Sequence, residues 1–368
     1  MTMKLLFRPL LLSLALTGFL AGCSNKDDTP APSPAPAPAP TPTTPAPTPG
    51  PTGQYAFVIN EGNFTSGTGS VSRFDKNSKA LIPDIFASAN RNAVLGSVVQ
   101  SMTVVDTLGY VVVNNSNKIE VVSLPSFKSK ATINKLNQPR YLTRSVANPS
   151  KAYVTEWLGG PFPAAYTEGR VSVLDLTTNK VTGTIAVGIN PGKAVLLNGS
   201  LYVPNSGSAF LTVINEASGA TSQISLPTPA SEVVADKNGA LWILCSTDYV
   251  TQPAKLVKYN PATGTQQFFS FPAVGSGGGL RISPDGQQLY YSYNAAEYRL
   301  NITDTALPAA PLINRDFYGF DIDPTTGQLY GTDALDYAKP GLLVRYQPNG
   351  TLIDETTVKV SPNGVVFY

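Results

Sequence analysis

One strand-like phrase recurs seven times along residues 55–368, and that repetition restricts the chain to very few folds. Its copies are Phe57–Asn60, Val111–Asn114, Tyr153–Glu156, Tyr202–Asn205, Trp242–Cys245, Tyr290–Tyr293 and Tyr330–Asp333. Each is an aromatic or apolar residue followed by small or β-branched ones, as a pleated buried surface favours. A second strand follows every copy: residues 69–75, 117–123, 169–175, 209–215, 254–260, 296–301 and 341–347. Third strands are expected over Ala80–Phe86, Lys130–Ile133, Val181–Val187, Thr221–Leu226, Thr265–Phe271, Pro311–Ile313 and Thr351–Val358. A short segment then precedes the next aromatic strand: Val98–Val105, Arg140–Thr143, Lys193–Leu197, Glu232–Ala235, Leu280–Ser283, Tyr318–Ile322 and Gly364–Tyr368. Four short strands per unit of about 40–50 residues describe a β-propeller blade. The hairpin Gly169–Val187 shows the pattern best, with Asn179 in its turn able to take positive φ. Asn198-Gly199, Asn238-Gly239, Asp285-Gly286 and Thr326-Gly327 supply tight turns just before four aromatic strands.

The repeat is out of phase at its ends. The first unit lacks the strand before its aromatic strand, and the last has one strand too many. If the C-terminal strand pairs beside Phe57–Asn60, the ring closes and no sheet edge is left free. The expected fold is therefore all-β: a seven-bladed propeller of four-stranded blades, clasped by the C-terminal strand.

What precedes the propeller reads as targeting and spacing. Lys4 and Arg8 make a positive start, Leu10–Leu20 an apolar run too short for a typical span, and Leu20-Ala21-Gly22-Cys23 follows. This resembles a bacterial lipobox, which makes residues 1–22 a lipoprotein signal peptide and Cys23 the lipidated N-terminus; the plainer alternative is an ordinary signal peptide with a chance cysteine. Ser24 after Cys23 argues for the outer membrane, and Lys26-Asp27-Asp28 resembles surface-export signals of Bacteroidetes lipoproteins. Residues 23–54 form the linker, its Pro/Ala/Thr tract favouring a polyproline II spacer of roughly 70 Å if extended.

The chemistry open to the propeller is limited first by what it lacks. The chain contains no histidine, which removes Ser-His-Asp and Cys-His catalysis and every His-ligated metal. A net charge of +2 with no basic stripe argues against nucleic acid. Cys245 lies in an apolar strand and reads as a buried structural thiol. The glycine run 275–279 lacks the Lys-Ser/Thr ending of a phosphate loop and reads as a link between blades.

Two groups of polar residues are candidates for binding. The fourth position of the aromatic strand runs Asn60, Asn114, Glu156, Asn205, Cys245, Tyr293, Asp333 round the ring. Blade symmetry sets these at one height, where their oxygens suit a hard cation such as Ca²⁺; the alternative is local capping of the loops. The second group sits on the face made by the loops after the aromatic strands and by the links between blades. It includes Glu61, Phe64, Arg91, Asn115, Arg140, Trp157, Phe162, Tyr166, Tyr249, Tyr318 and Tyr337. Aromatics, amides and arginine on one face suit a large polar ligand, although about half of these aromatics are expected to staple loops instead.

Segments 59–75, 98–105, 112–122, 169–188 and 318–333 resemble the YncE-like, YVTN-type seven-bladed propeller lipoproteins of Bacteroidetes, which carry the domain of unknown function 5074. Asn60-Glu61-Gly62 and residues 114–118 are the most specific pieces. Members of this family are often encoded beside TonB-dependent outer-membrane transporters, and its BtuG-like branch captures cobalamin. The resemblance implies a non-catalytic, cell-surface lipoprotein that captures a ligand, such as a corrinoid, for a transporter of that kind, and it implies no cofactor. Two alternatives come from other classes: a metal-dependent propeller lactonase or related hydrolase, which needs convergent oxygen ligands including Glu156 or Asp333 near the channel, and a surface scaffold that binds protein or glycan.

Overall fold

The computed structural model of the chain describes residues 53–63, 68–160, 165–246, 251–275 and 277–368. The leader, Cys23 and the Pro-rich tract lie outside them, as do Phe64, Phe162 and Tyr249. The described residues form seven antiparallel sheets, which are the blades of a propeller. Blade 1 is closed as expected: its innermost strand is Pro362–Phe367, followed outward by Tyr55–Asn60, Ser70–Asp75 and Leu81–Ile82. The clasp runs in register from Ala56↔Phe367 to Asn60↔Pro362, with one bulge.

Blades 2 to 5 follow in sequence order, inside to outside, each with four strands. Their innermost strands are Val99–Val105, Pro139–Arg144, Val195–Leu197 and Ala230–Ala235. Those of blades 6 and 7 are Gly277–Ile282 and Gly319–Ile322. The turn chemistry is as read from the sequence: Asn179 (φ 54°), Asn198 (49°) and Gly199 (73°) all occupy the left-handed region.

The aromatic strand is second from the axis, so both of its faces are buried. Alternate residues therefore feed opposite neighbours. Phe57 and Ile59 pack toward blade 2, while Ala56 and Val58 pack toward blade 7. In blade 5, Trp242 and Leu244 face blade 6, whereas Leu241, Ile243 and Cys245 face blade 4. The result is one apolar cluster for each of the seven junctions between blades. Aromatic pairs lock several of them, such as Phe57 with Phe127 (ring centroids 5.2 Å apart) and Tyr330 with Phe367 (4.9 Å).

Three sequence expectations are corrected. The outer strand expected over Pro311–Ile313 does not form: blade 6 has three strands, and Ile313 makes a single bridge to Glu297. Pro308 and Pro311 bring no N–H to a ladder there. The strand expected over Ala80–Phe86 stops at Ile82 before Pro83, and a helical turn, Ile85–Ala89, follows, capped where Asp84 accepts from the Ala87 N–H at 3.0 Å. The glycine run is not a mere link. Gly277–Ile282 is the inner strand of blade 6 and carries a bulge.

Candidate functional site

The ring of fourth-position residues does not converge on an ion. The Asn60 amide donates to the Val58 carbonyl and to Ser72 Oγ (3.1 Å), and the Asn205 amide to the Phe210 carbonyl (3.0 Å) and Thr212 Oγ1 (3.1 Å). The Asn114 amide reaches the Pro139 carbonyl of the next blade at 3.0 Å. Glu156 is fully buried and held by Arg170, Ser172 and the Asn137 N–H; Asp333 is gripped by Arg315. Tyr293 bonds the backbone of Ala273. Buried Cys245 has its thiol pushed up to about 12 by desolvation, so it is inert. Each strand sits one layer out from the axis, and the amides and carboxylates are held by neighbouring strands, links and loops, although the buried Oδ1 atoms of Asn60 and Asn205 keep no partner. Among the described residues no group of three or more His, Cys, Asp or Glu could hold a metal.

The structure instead gathers polar side chains on the innermost strands, around the axis. The ladder to the aromatic strand aligns these strands. Opposite the aromatic position, or Tyr110 in blade 2, stand Val366, Thr103, Thr143, Val195, Val234, Arg281 and Asp321. Two residues earlier in the chain come Gly364, Ser101, Tyr141, Lys193, Glu232, Gly279 and Gly319, with bulges in blades 3 and 6 and Lys193 just before its strand. Three adjacent blades thus present glycine to the channel, and the three facing ones present Tyr141, Lys193 and Glu232. The glycines are required by close packing as well as by space: a Cβ on Gly319 would stand 2.3 Å from the Asn363 backbone. The cavity this leaves has a volume of about 280 Å³. A second, of about 330 Å³, shares Tyr141, Arg281, Tyr318 and Asn363 with it and opens past Tyr337.

Electrostatics divides this channel into spent and unspent groups. Arg281 donates from Nη1 to Glu232 (2.6 Å) and from Nε to Asp321 (2.9 Å), tying blade 6 to blades 5 and 7. Asp321 also accepts from the Val365 N–H at 2.7 Å, which ties blade 7 to the clasp strand. The two carboxylates hold the Arg281 guanidinium fully charged. Glu61 accepts from the Tyr318 hydroxyl (2.9 Å) and the Asn363 amide (2.8 Å); burial raises its pKa against those two bonds and nearby Arg140. Arg140 lays its guanidinium over Trp157, 4.0 Å from the ring centroid, and Trp157 is pinned by donating to the Pro191 carbonyl at 3.0 Å. Lys193 stands deep in the channel but wet, its pKa lowered by desolvation and then by Arg281.

Of the residues expected on the loop face, Glu61, Arg140 and Tyr318 line the cavity, and Tyr337 lies at its mouth. Trp157 and Tyr166 pack edge-on, ring centroids 5.0 Å apart, and back Arg140 rather than face the channel. Asn115 bonds Ser97, and Arg91 is exposed beyond the cavity lining. Lys193, which the sequence places among the links between blades on the same face, lines the cavity as well, whereas Gln100, Tyr141, Glu232, Arg281, Asp321 and Asn363 belong to the site but escaped sequence reasoning. The missing signal was alignment of the inner strands, in which large polar residues fall in three adjacent blades and glycines in the three that face them.

Fold and site together define a closed seven-bladed β-propeller with a polar axial cavity. The family model for a domain of unknown function, DUF5074, matches residues 54–359, and the chain belongs to that family. No curated protein matches the sequence. Among solved structures, a quinonprotein alcohol dehydrogenase-like protein from Bacteroides thetaiotaomicron is similar with a TM-score of 0.66 at 15% identity, covering 86% of this chain and 78% of that one. The periplasmic gluconolactonase of Pseudomonas aeruginosa gives 0.62 at 13%, covering 85% and 98%. Hydrazine synthase of Kuenenia stuttgartiensis gives 0.57 at 14%, covering 88% and 99%. At these identities the likeness is one of fold.

Proposed function

We propose that this protein is a non-catalytic, ligand-capturing propeller, lipid-anchored at Cys23 on the outside of the outer membrane, which passes its ligand to a TonB-dependent transporter. The observation that carries the reading is the aromatic pair at the mouth of the axial channel. Tyr318 and Tyr337 are 44% and 54% exposed, pack edge to face with centroids 5.1 Å apart, and stand beside the cavity. Exposed aromatics next to a polar cavity are what a recognition surface shows. The lipobox and long spacer of the sequence support the surface placement, and the family resemblance supports the transporter.

A corrinoid is the ligand the resemblance suggests. The cavity is at the small end of ligand pockets, which span about 300–1,000 Å³, so a macrocycle would lie across the mouth on the two tyrosines. The hydrolase alternative has less support, because Glu156, Asp333, Glu232 and Asp321 are each engaged by an arginine. The test is calorimetric titration of the protein with cyanocobalamin and cobinamide. One-to-one binding that weakens in Tyr337→Ala is the expected result. No heat with either at tens of micromolar removes the corrinoid and favours a protein or glycan partner.

A further inference from the structure

Once the internal pairs of the channel are taken away, what remains is all donors. Arg281, Glu232 and Asp321 satisfy one another, and Glu61 is held by Tyr318 and Asn363. Arg140 keeps a buried Nε with no acceptor, and its guanidinium plane is fixed by Trp157. Among the described residues Lys193 has no hydrogen-bond acceptor and no carboxylate within ion-pair distance, although Asp321 and Glu232 lie within electrostatic reach. The Tyr141 hydroxyl also lacks a partner there. Arginine and lysine can only donate. Arg140 and Lys193 therefore stand in adjacent blades with no carboxylate bonded to either, Arg140 half-buried with its Nε shielded from water and Lys193 open to the water of the channel. Arg281 shows what a structural cation looks like in the same channel: it bridges three blades.

We propose that the axial cavity is an anion site, in which a small organic acid or phosphate seats between Arg140 and Lys193 with the Tyr141 hydroxyl as third donor. The inference rests on the ligand-capture reading and names the class of group that the throat of the channel accepts. The planar guanidinium matches a carboxylate or phosphate with paired hydrogen bonds, and the lysine adds a point charge from the adjacent blade. Gly364, with no side chain of its own, lines the same cavity as these three donors.

The test is calorimetry of the mature protein with citrate and with inorganic phosphate, at low and at physiological salt. Saturable one-to-one binding of either is expected, weakened at least tenfold in Arg140→Gln and in Lys193→Met and unchanged in the surface control Lys128→Gln. Unfolding midpoints are read alongside. Lys193→Met should match or exceed the wild type without ligand, because an unpaired cation has been removed; a marked drop would show that Lys193 is structural. Absence of saturable binding up to 10 mM, or binding indifferent to both substitutions, overturns the anion site. Corrinoid binding with neither anion bound, and with Lys193→Met neutral, would leave capture standing and this inference fallen. Anion binding without corrinoid binding would leave the anion site standing and remove only the corrinoid from the capture reading.

Discussion

At the scale of single residues, Glu297 is a buried carboxyl bonded to no cation among the described residues. It is fully buried, accepts one bond from Ser292 Oγ at 2.7 Å, and leaves Oε2 without a partner. Desolvation pushes its pKa up to about 8 from an ordinary 4.5. Below pH 4.5 both folded and unfolded chains carry the proton. Between there and about 8 the unfolded chain ionises while the native chain holds its proton, so stability falls as pH rises through that window. With no histidine in the chain, few other groups titrate there. Glu297→Gln should flatten the decline and stabilise the protein at pH 8 by on the order of a few kcal/mol. Urea midpoints at pH 5 and 8 check this; a variant that still declines as steeply as the wild type clears Glu297. The residue scale is also where reading from sequence was weakest. Asn60 and Glu156 are polar, regularly spaced and near one face, as ligands would be, but hydrogen bonds two residues or one strand away hold the Asn60 amide nitrogen and the Glu156 carboxylate in place. Nothing in a one-dimensional pattern separates a capping asparagine from a coordinating one.

Among the elements, the C-terminal strand matters most. Pro362–Phe367 supplies the innermost strand of the first blade, and beyond it Tyr55 and Tyr368 exchange backbone hydrogen bonds at 2.7 and 2.9 Å. It also brings Val365 and Phe367 against Tyr330, and the Val365 N–H to Asp321. Burial of side chains this size contributes about 1.5–3 kcal/mol each. A chain ending at Val360 should therefore lose its cooperative urea transition and associate through the bare Tyr55–Asn60 edge, as seen by size exclusion. A monomer with the wild-type midpoint would show that the ring does not need its clasp. The clasp was legible because strand phase is counted, not inferred from propensity. Outer strands were less legible: beyond the third position a strand has one partner, so a proline such as Pro83 or Pro311 decides whether it continues.

For the whole molecule, the reading of a surface-anchored capture protein turns on residue 23. Cys23→Ser should move the protein from the outer-membrane fraction to the soluble one and abolish its cleavage by protease added to intact cells. Equal fractionation of both proteins would sink the anchor. The described residues contain no helix long and apolar enough to cross a membrane. Seven-fold repetition, turn signals and strand phase were all present in the sequence, because a propeller is assembled from local hairpins whose period survives in one dimension. The axial cavity was not. Its walls come from one short strand per blade, each only a few residues long and separated from the next by a whole blade. Which of their side chains meet depends on register between the inner and aromatic strands, on three glycines facing three large polar residues, and on Arg281 choosing Glu232 and Asp321 over solvent. Ring and clasp were determined by the sequence alone. Which charges in the channel are spent, and which stay open to a ligand, only the closed ring decides, because pairing there joins residues from different blades.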